Sequence, residues 1–469
     1  MPLVKSITPK SINVLGVGRT LLIFLLLICI KPVFSQDNSP YSRYGLGDMV
    51  PNTNVINRGM GGIAAGYNNI YTINYSNPAT YGSFETIKEA RAKKILVGRA
   101  ILDVGLNFES RTLSEPSNVN KFTASNALFS HVQIGVPLRP NWGLSFGLRP
   151  LTRVSYNMSK VERLNDPNTG LPIDSALTNN KGDGGSYIAS IGSGYRIKFT
   201  DFDWLSFGVN VGYLFGKKDI QIRRTFLNDT VSYNSGNFQT LTTYGGMFFN
   251  GGVQYQARLN KDLFLTIGAF GNIKQKIDAR QDIIRETYYY DENVGYPTLD
   301  SVYRQEGLKG QIEYPASYTA GFVLQRYADT KKSGWLIGID YSQHQWSGYT
   351  SYGAKDPNVT NGWNIKAGAQ LSPVFRPTSY FSQVSYRAGI GIGKDYVLVG
   401  EELPTFNASL GMGLPISGGR MNPGQFTIVN LGFEFIKRGN NDNILKENMF
   451  RLSLGLSLSD YWFRKKKYD

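Results

Sequence analysis

Histidines, cysteines and clustered carboxylates are where catalytic or metal chemistry would reside, and this sequence offers few of them. His131 and His344 are its two histidines, more than 200 positions apart. Neither has an acidic neighbour at ligand spacing along the chain, so no metal centre and no Ser-His-Asp arrangement is spelled out. The single cysteine, Cys29, lies in an apolar N-terminal run, which leaves an exported chain without disulfides, thiolate metal sites or cysteine nucleophiles. Gly59, Gly61 and Ala64 fit a G-x-G-x-x-A spelling, but the preceding Val50-Pro51-Asn52-Thr53-Asn54 is not the hydrophobic strand that a dinucleotide fold requires. Close approach of backbone to backbone explains those glycines better. Asp201 with Asp203, and the run Asn440 to Asn443, lack EF-hand spacing, and turn formation accounts for both. The expectation is a protein that is not an enzyme and carries no metal and no cofactor.

The elements that carry these residues are unlike those of a soluble domain. Lys5, Lys10 and Arg19 precede the apolar run Leu21 to Ile30, and Val33-Phe34-Ser35 follows before Gln36. That order predicts a secretory signal peptide over residues 1–35. The run is far shorter than the ~20 residues of a spanning helix, so any membrane crossing must use strands. Composition agrees: 52 glycines, 13% aromatic and only 18% charged residues, against a usual ~25% charged. Formal charge is +15, and removing Lys5, Lys10, Arg19 and Lys31 leaves +11 for the exported part. Export argues against a nucleic-acid partner; the basic run Arg464 to Lys467 suits anionic lipid head groups better.

Alternation dominates from about residue 95 onward. Leu452, Leu454, Leu456 and Leu458 interleave with Ser453, Gly455, Ser457 and Ser459, and Leu205, Phe207, Val209 and Val211 with Ser206, Gly208, Asn210 and Gly212. A period of two predicts strands but does not separate a soluble sandwich from a membrane barrel. Fourteen such strands can be counted between residues 95 and 460. Connections such as Arg139-Pro140 and Asn260-Lys261 are short, and they alternate with polar segments, Val161 to Gly184, Ile284 to Leu308 and Ser347 to Asn361, which read as long exposed loops. Short turns on one rim and long loops on the other predict an all-β, antiparallel transmembrane β-barrel with both termini periplasmic. Trp142, Trp204, Trp335, Trp363, Tyr461 and Trp462 stand at predicted strand ends, where aromatic girdles form.

Residues 36–90 do not alternate. Ser39-Pro40-Tyr41-Ser42-Arg43-Tyr44-Gly45-Leu46-Gly47, then Asn57-Arg58-Gly59-Met60-Gly61-Gly62-Ile63-Ala64-Ala65-Gly66, then Asn74-Tyr75-Ser76-Asn77-Pro78-Ala79 are turn-rich. This succession resembles the FadL-type long-chain fatty-acid transporters, whose N-terminal hatch carries a glycine and alanine stretch followed by Asn-Pro-Ala. The end of the chain, Arg438-Gly439 through Lys446-Glu447-Asn448 to Trp462-Phe463, resembles members of the same superfamily. The resemblance implies a 14-stranded barrel of the Gram-negative outer membrane, here 91–463, with hatch 36–90 in its lumen and a basic tail at 464–469. It also implies a gating role for Asn77, Pro78 and Ala79, joined by the flexible Gly59, Gly61 and Gly62. Pro150 falls inside the third predicted strand and cannot donate a ladder hydrogen bond. Either the wall breaks there, which in the family resembled opens a lateral exit for apolar ligand, or the strand ends near Leu148.

Two functions remain open at this stage. The first is passive passage of hydrophobic, fatty-acid-like molecules through a barrel surrounded by outer-membrane lipids. The second is a non-transporting barrel in a larger outer-membrane assembly, with the Tyr-rich Glu286 to Tyr303 as a contact for other outer-membrane proteins. Asp174-Ser175-Ala176, Asp229-Thr230-Val231 and Asp300-Ser301-Val302 resemble an O-glycosylation pattern of exported bacterial proteins.

Overall fold

The structure is a computed structural model that describes residues 39–88, 95–116, 121–165, 168–170, 172–227, 234–289, 291, 293–329, 332–374, 379–417 and 426–462. The export segment with Cys29, Asp229-Thr230-Val231 and Arg464 to Lys467 lie outside them. Fourteen antiparallel strands follow one another around a single sheet: β1 Ile95–Ser114, β2 Lys121–Arg139, β3 Trp142–Asn165, β4 Pro172–Lys198, β5 Trp204–Phe226 and β6 Ser235–Arg258. β7 is interrupted, Leu263–Asn272 then Gln275–Tyr288, and so is β8, Thr298–Tyr314 then Ser317–Arg326. β9 Gly334–His344, β10 Gly362–Ser372, β11 Ser385–Val399, β12 Glu401–Ser417, β13 Phe426–Arg438 and β14 Lys446–Trp462 complete it. The last strand pairs with the first, Lys446 opposite Ser114 and Trp462 opposite Gly98, so the sheet closes into a barrel.

Side-chain exposure decides what alternation could not. In β5, Ser206 is fully buried while Phe207 is 49% exposed, and Asn210 is buried while Val209 is exposed. Ile337, Ile339, Ile390 and Leu410 are likewise exposed, and Asp340, Ser409 and Ser453 buried. A soluble sandwich buries its greasy face; this sheet turns it outward and keeps its polar face inside, the polarity a lipid-embedded barrel requires. Closure also pairs backbone groups that hydrocarbon could not solvate.

The polar segments Val161 to Gly184 and Ile284 to Leu308 are mostly strand rather than loop. β3 and β4 pair from Trp142 opposite Tyr195 up to Asn165 opposite Pro172, and Gln275–Tyr288 pairs with Thr298–Tyr314. The reason is solvent. Along the upper half of β7 the exposed side chains are Lys276, Asp278 and Arg280, so this part of the wall stands in water on its outer face and loses the greasy alternation that marks a membrane strand.

One girdle expectation also changes. Trp142 is exposed at a strand end, but Trp204 is buried, its ring under the Arg196 guanidinium at 3.9 Å. Trp462 has no described side chain.

Candidate functional site

The N-terminal segment builds its own local order before it meets the wall. Asn54 caps the single helical turn Val55–Arg58, its side chain accepting from the Asn57 amide. Asn77 caps the 3-10 turn Pro78–Ser83 in the same way through Ala79, and Pro78 occupies the first turn position, where no amide is needed. Gly61 and Gly62, at φ +69° and +88°, take the left-handed region that other residues avoid.

Residues 55–81 then reach all fourteen strands. Arg58 bonds Asn107 of β1, Ser130 of β2 and Ser453 of β14. The Tyr81 and Pro78 carbonyls lie over Gly143 of β3, Gly194 of β4 and Gly208 of β5, and Asn77 lies over Gly252 of β6. The Ala65 carbonyl covers Gly268 of β7, where any β-carbon would overlap it, and Gly66 sits against Phe322 and Val323 of β8. Asp340 of β9 accepts from the Ala64 and Ala65 amides at 2.6 and 2.9 Å. Met60 and Gly61 meet Gly368 of β10 and Gly389 of β11, the Gly61 amide donates to Ser409 of β12 at 2.8 Å, and Val55 meets Gly432 of β13. A chain segment that touches every stave of a closed barrel lies inside it.

Three apolar clusters fill the lumen around that layer. One holds Tyr41, Leu46, Trp346, Tyr396, Val397 and Leu403, with Trp346 and Tyr396 stacked at 4.2 Å. A second holds Ile56, Met60, Ile63 and Tyr67 against Val323 and Leu336, and a third holds Ile73, Tyr75, Tyr81 and Phe84 against Ile101.

Between the first cluster and the middle layer lies a cavity of about 330 Å³ beside Asp48 to Thr53. Met49, Phe270, Trp346, Phe406, Ile436 and Met449 form part of its wall, and an ion lattice forms the rest. Arg111 reaches Asp48 at 2.9 Å and Glu447 at 3.1 Å; Arg438 reaches Asp48 at 3.0 Å and Asp395 at 2.9 Å; Arg451 reaches Glu109 at 2.7 Å and Glu434 at 3.3 Å. Burial pushes the Asp48 carboxyl up, but the Arg111 and Arg438 guanidiniums outweigh it and hold the group below the usual carboxylate range.

Pro150 marks a discontinuity in the wall. β3 runs through it without ending, with a register shift between Pro150 and Thr152 on the β4 side. On the β2 side the ladder stops at Val132 opposite Leu148. Above that point the N-terminal segment takes the vacant edge: Asp48 pairs with Arg153 and Met49 with Thr152, Val50 donates to the Leu151 carbonyl and Ser39 to that of Ser155. Arg153 bridges the seam to Asn126 of β2 at 3.3 Å.

The structure thus brings Asn77, Pro78, Ala79, Gly59, Gly61 and Gly62 into one layer and leaves Pro150 on the wall, nearer to Asp48–Val50 than to them. Sequence reasoning missed Arg58, Asp340, Asp48 and the Arg111–Glu447–Arg438 lattice. One signal was available: charged residues such as Arg111, Glu434 and Arg451 at the small-polar positions of alternating strands. Although neither histidine has an acidic neighbour at ligand spacing along the chain, the fold brings the fully buried His131 ring to 3.4 Å from the Asp103 carboxylate of the adjacent strand. Asp203 takes the Thr200 hydroxyl and the Arg258 amide and is a turn residue. Among the described residues no group of three His, Cys, Asp or Glu side chains could hold a metal ion.

The fold and the lumen define a class: outer-membrane β-barrels closed by fourteen strands, with the chain's own N-terminal segment threaded inside. Within that class the chain belongs to the BamG family, whose profile matches residues 17–469. No curated protein matches the sequence. Solved structures similar to it include the CymD monoaromatic hydrocarbon channel, at 13% identity over 88% of this chain and 98% of that one, TM-score 0.47. A Pseudomonas aeruginosa FadL homologue is 13% identical over 90% and 100%, TM-score 0.48, and the P. putida toluene transporter TodX 15% identical over 87% and 98%, TM-score 0.48.

Proposed function

We propose that this barrel is a non-conducting subunit of a larger outer-membrane protein assembly, set in a Gram-negative outer membrane with both termini on the periplasmic side and residues 36–90 acting as a fixed hatch. The observation that carries this reading is the contact of residues 55–81 with every strand, made largely through backbone groups and buried polar side chains. A hatch that must move for each transported molecule would have to break these bonds together, each worth about 1 kcal/mol and more where charge is involved. Asn77, Pro78, Ala79, Gly59, Gly61 and Gly62 are, in this reading, fasteners. Gentle detergent extraction of the native protein tests it: other outer-membrane proteins are expected in fixed stoichiometry, and a barrel recovered alone under conditions that preserve known complexes overturns it.

The break above Pro150 favours a second reading, passage of a hydrophobic small molecule between lumen and bilayer through the β2–β3 seam. Asp48–Val50 would then be the moving part, and Asn77 to Ala79 with the three glycines would set the hatch's rest position. The cavity behind Asp48–Val50, lined by both charged and apolar side chains, suits an amphiphile with a polar head better than a bare hydrocarbon. Uptake of a labelled long-chain fatty acid in a transporter-null strain separates the two readings, since a fixed hatch gives none above empty vector.

A further inference from the structure

Above the membrane the barrel wall is not level. The hairpin of Gln275–Tyr288 and Thr298–Tyr314 rises past its neighbour on one side, because β9 ends at His344 and the following segment covers only the hairpin's base. There Ser351 and Thr350 pair with Ile312 and Glu313, the Tyr352 amide donates to the Gln311 carbonyl at 2.9 Å and the Tyr352 hydroxyl to that of Leu308 at 3.0 Å. Beyond these contacts, Thr298 to Gly307 has its hairpin partner on one side and no strand on the other among the described residues. Roughly every second residue of this stretch thus offers its backbone groups to water.

The same stretch is bulged in a particular way. Arg285 pairs with Tyr303 and Glu286 with Ser301, leaving Val302 over; Thr287 pairs with Asp300 and Tyr288 with Thr298, leaving Leu299 over. A bulge re-aims the extra side chain, and the two re-aimed here are apolar, Val302 68% and Leu299 53% exposed. Tyr303 is exposed next to Val302 in the strand, and Tyr289, Val294 and Tyr296 are exposed in the turn that joins the two strands. This part of the hairpin looks into water, so lipid does not account for its exposed apolar side chains as it does for those of the wall below.

We propose that the edge Thr298–Gly307 binds an extended strand of a different outer-membrane-associated protein by β-addition, with Leu299 and Val302 seated in apolar pockets of that partner. Backbone pairing supplies the affinity and the two bulged side chains the register. A second copy of this chain is a poor occupant. Bulges twist an edge away from flat pairing, and the exposed Arg304–Glu306 pair adjoins a third irregularity between Gln281 and Ile283. Two copies would have to match these irregularities to one another.

This inference rests on the assembly reading, and the experiment keeps the two apart. A photo-reactive phenylalanine in place of Val302 is irradiated in intact cells, and the native complex is purified in parallel from wild type, from Leu299→Lys/Val302→Lys and from Val302→Glu alone. Barrel folding is checked for each by the heat-dependent shift in gel mobility. The expected result is one adduct whose partner peptide is an extended segment of a protein that also co-purifies stoichiometrically, with that protein lost from both folded variants. Retention of the full complex by the folded variants overturns the edge proposal while leaving the assembly reading standing. An adduct between two copies of this chain overturns it as well. Absence of any stoichiometric partner from wild type overturns both.

Discussion

Arg58 is where the order of the lumen converges: its guanidinium bonds the Thr53 carbonyl and side chains of β1, β2 and β14, and among the described residues no carboxylate is one of the partners it bonds. Truncation to alanine leaves buried Asn107, Ser130 and Ser453 without that partner, a loss on the order of 3 kcal/mol. The expected outcome is a lower midpoint for the heat-dependent mobility shift, with Arg58→Lys recovering only part because an ammonium cannot fork to three strands. Asp48 acts differently, since it is charged and holds two arginines. Its folded pKa lies below its unfolded one, so the stability it contributes is present above the ordinary aspartate value and is lost as pH falls through the folded pKa. Acidification below about pH 4 should therefore loosen Asp48–Val50 from the β3 edge. Asp48→Asn should flatten that pH dependence while lowering stability at neutral pH; limited proteolysis near Met49 across pH reads both.

At the scale of elements, glycines in the wall sort by the face on which they sit. Gly268 has the Ala65 carbonyl where a side chain would begin, whereas Gly251, on the outward face of β6, has only a backbone oxygen at 3.6 Å. Gly268→Val is expected to displace the N-terminal segment and cost several kcal/mol, and Gly251→Val to cost little; thermal midpoints of the two purified variants test the contrast. β3 makes a related point. Its proline was legible as a break in pairing, but not on which side the ladder would fail, since that depends on β2 leaving and the N-terminal segment arriving. Its polar end from Val161 onward was read as loop because alternation disappears where both faces meet water, although strand pairing continues.

For the whole molecule, residues 55–81 lie across the lumen in contact with all fourteen strands. Deleting residues 52–84 should either prevent closure or leave an open pore. In planar bilayers the intact chain is expected to show no steady conductance and any folded deletion variant a large one; equal conductance from both would remove the fixed-hatch argument. The strand count and antiparallel order follow from local chemistry, because a two-residue period and turn residues at its ends act between near neighbours in the chain, and these were legible in the amino acids alone. So was the non-alternating character of residues 36–90 with its Asn77-Pro78-Ala79 motif. What holds that segment in place was not: Asp48 meets Arg111 and Arg438, and Arg58 meets Ser453, only once strands from the two ends of the chain close on each other. Contacts between residues tens to hundreds of positions apart leave no periodic mark on the chain, and so only the tertiary structure decided them.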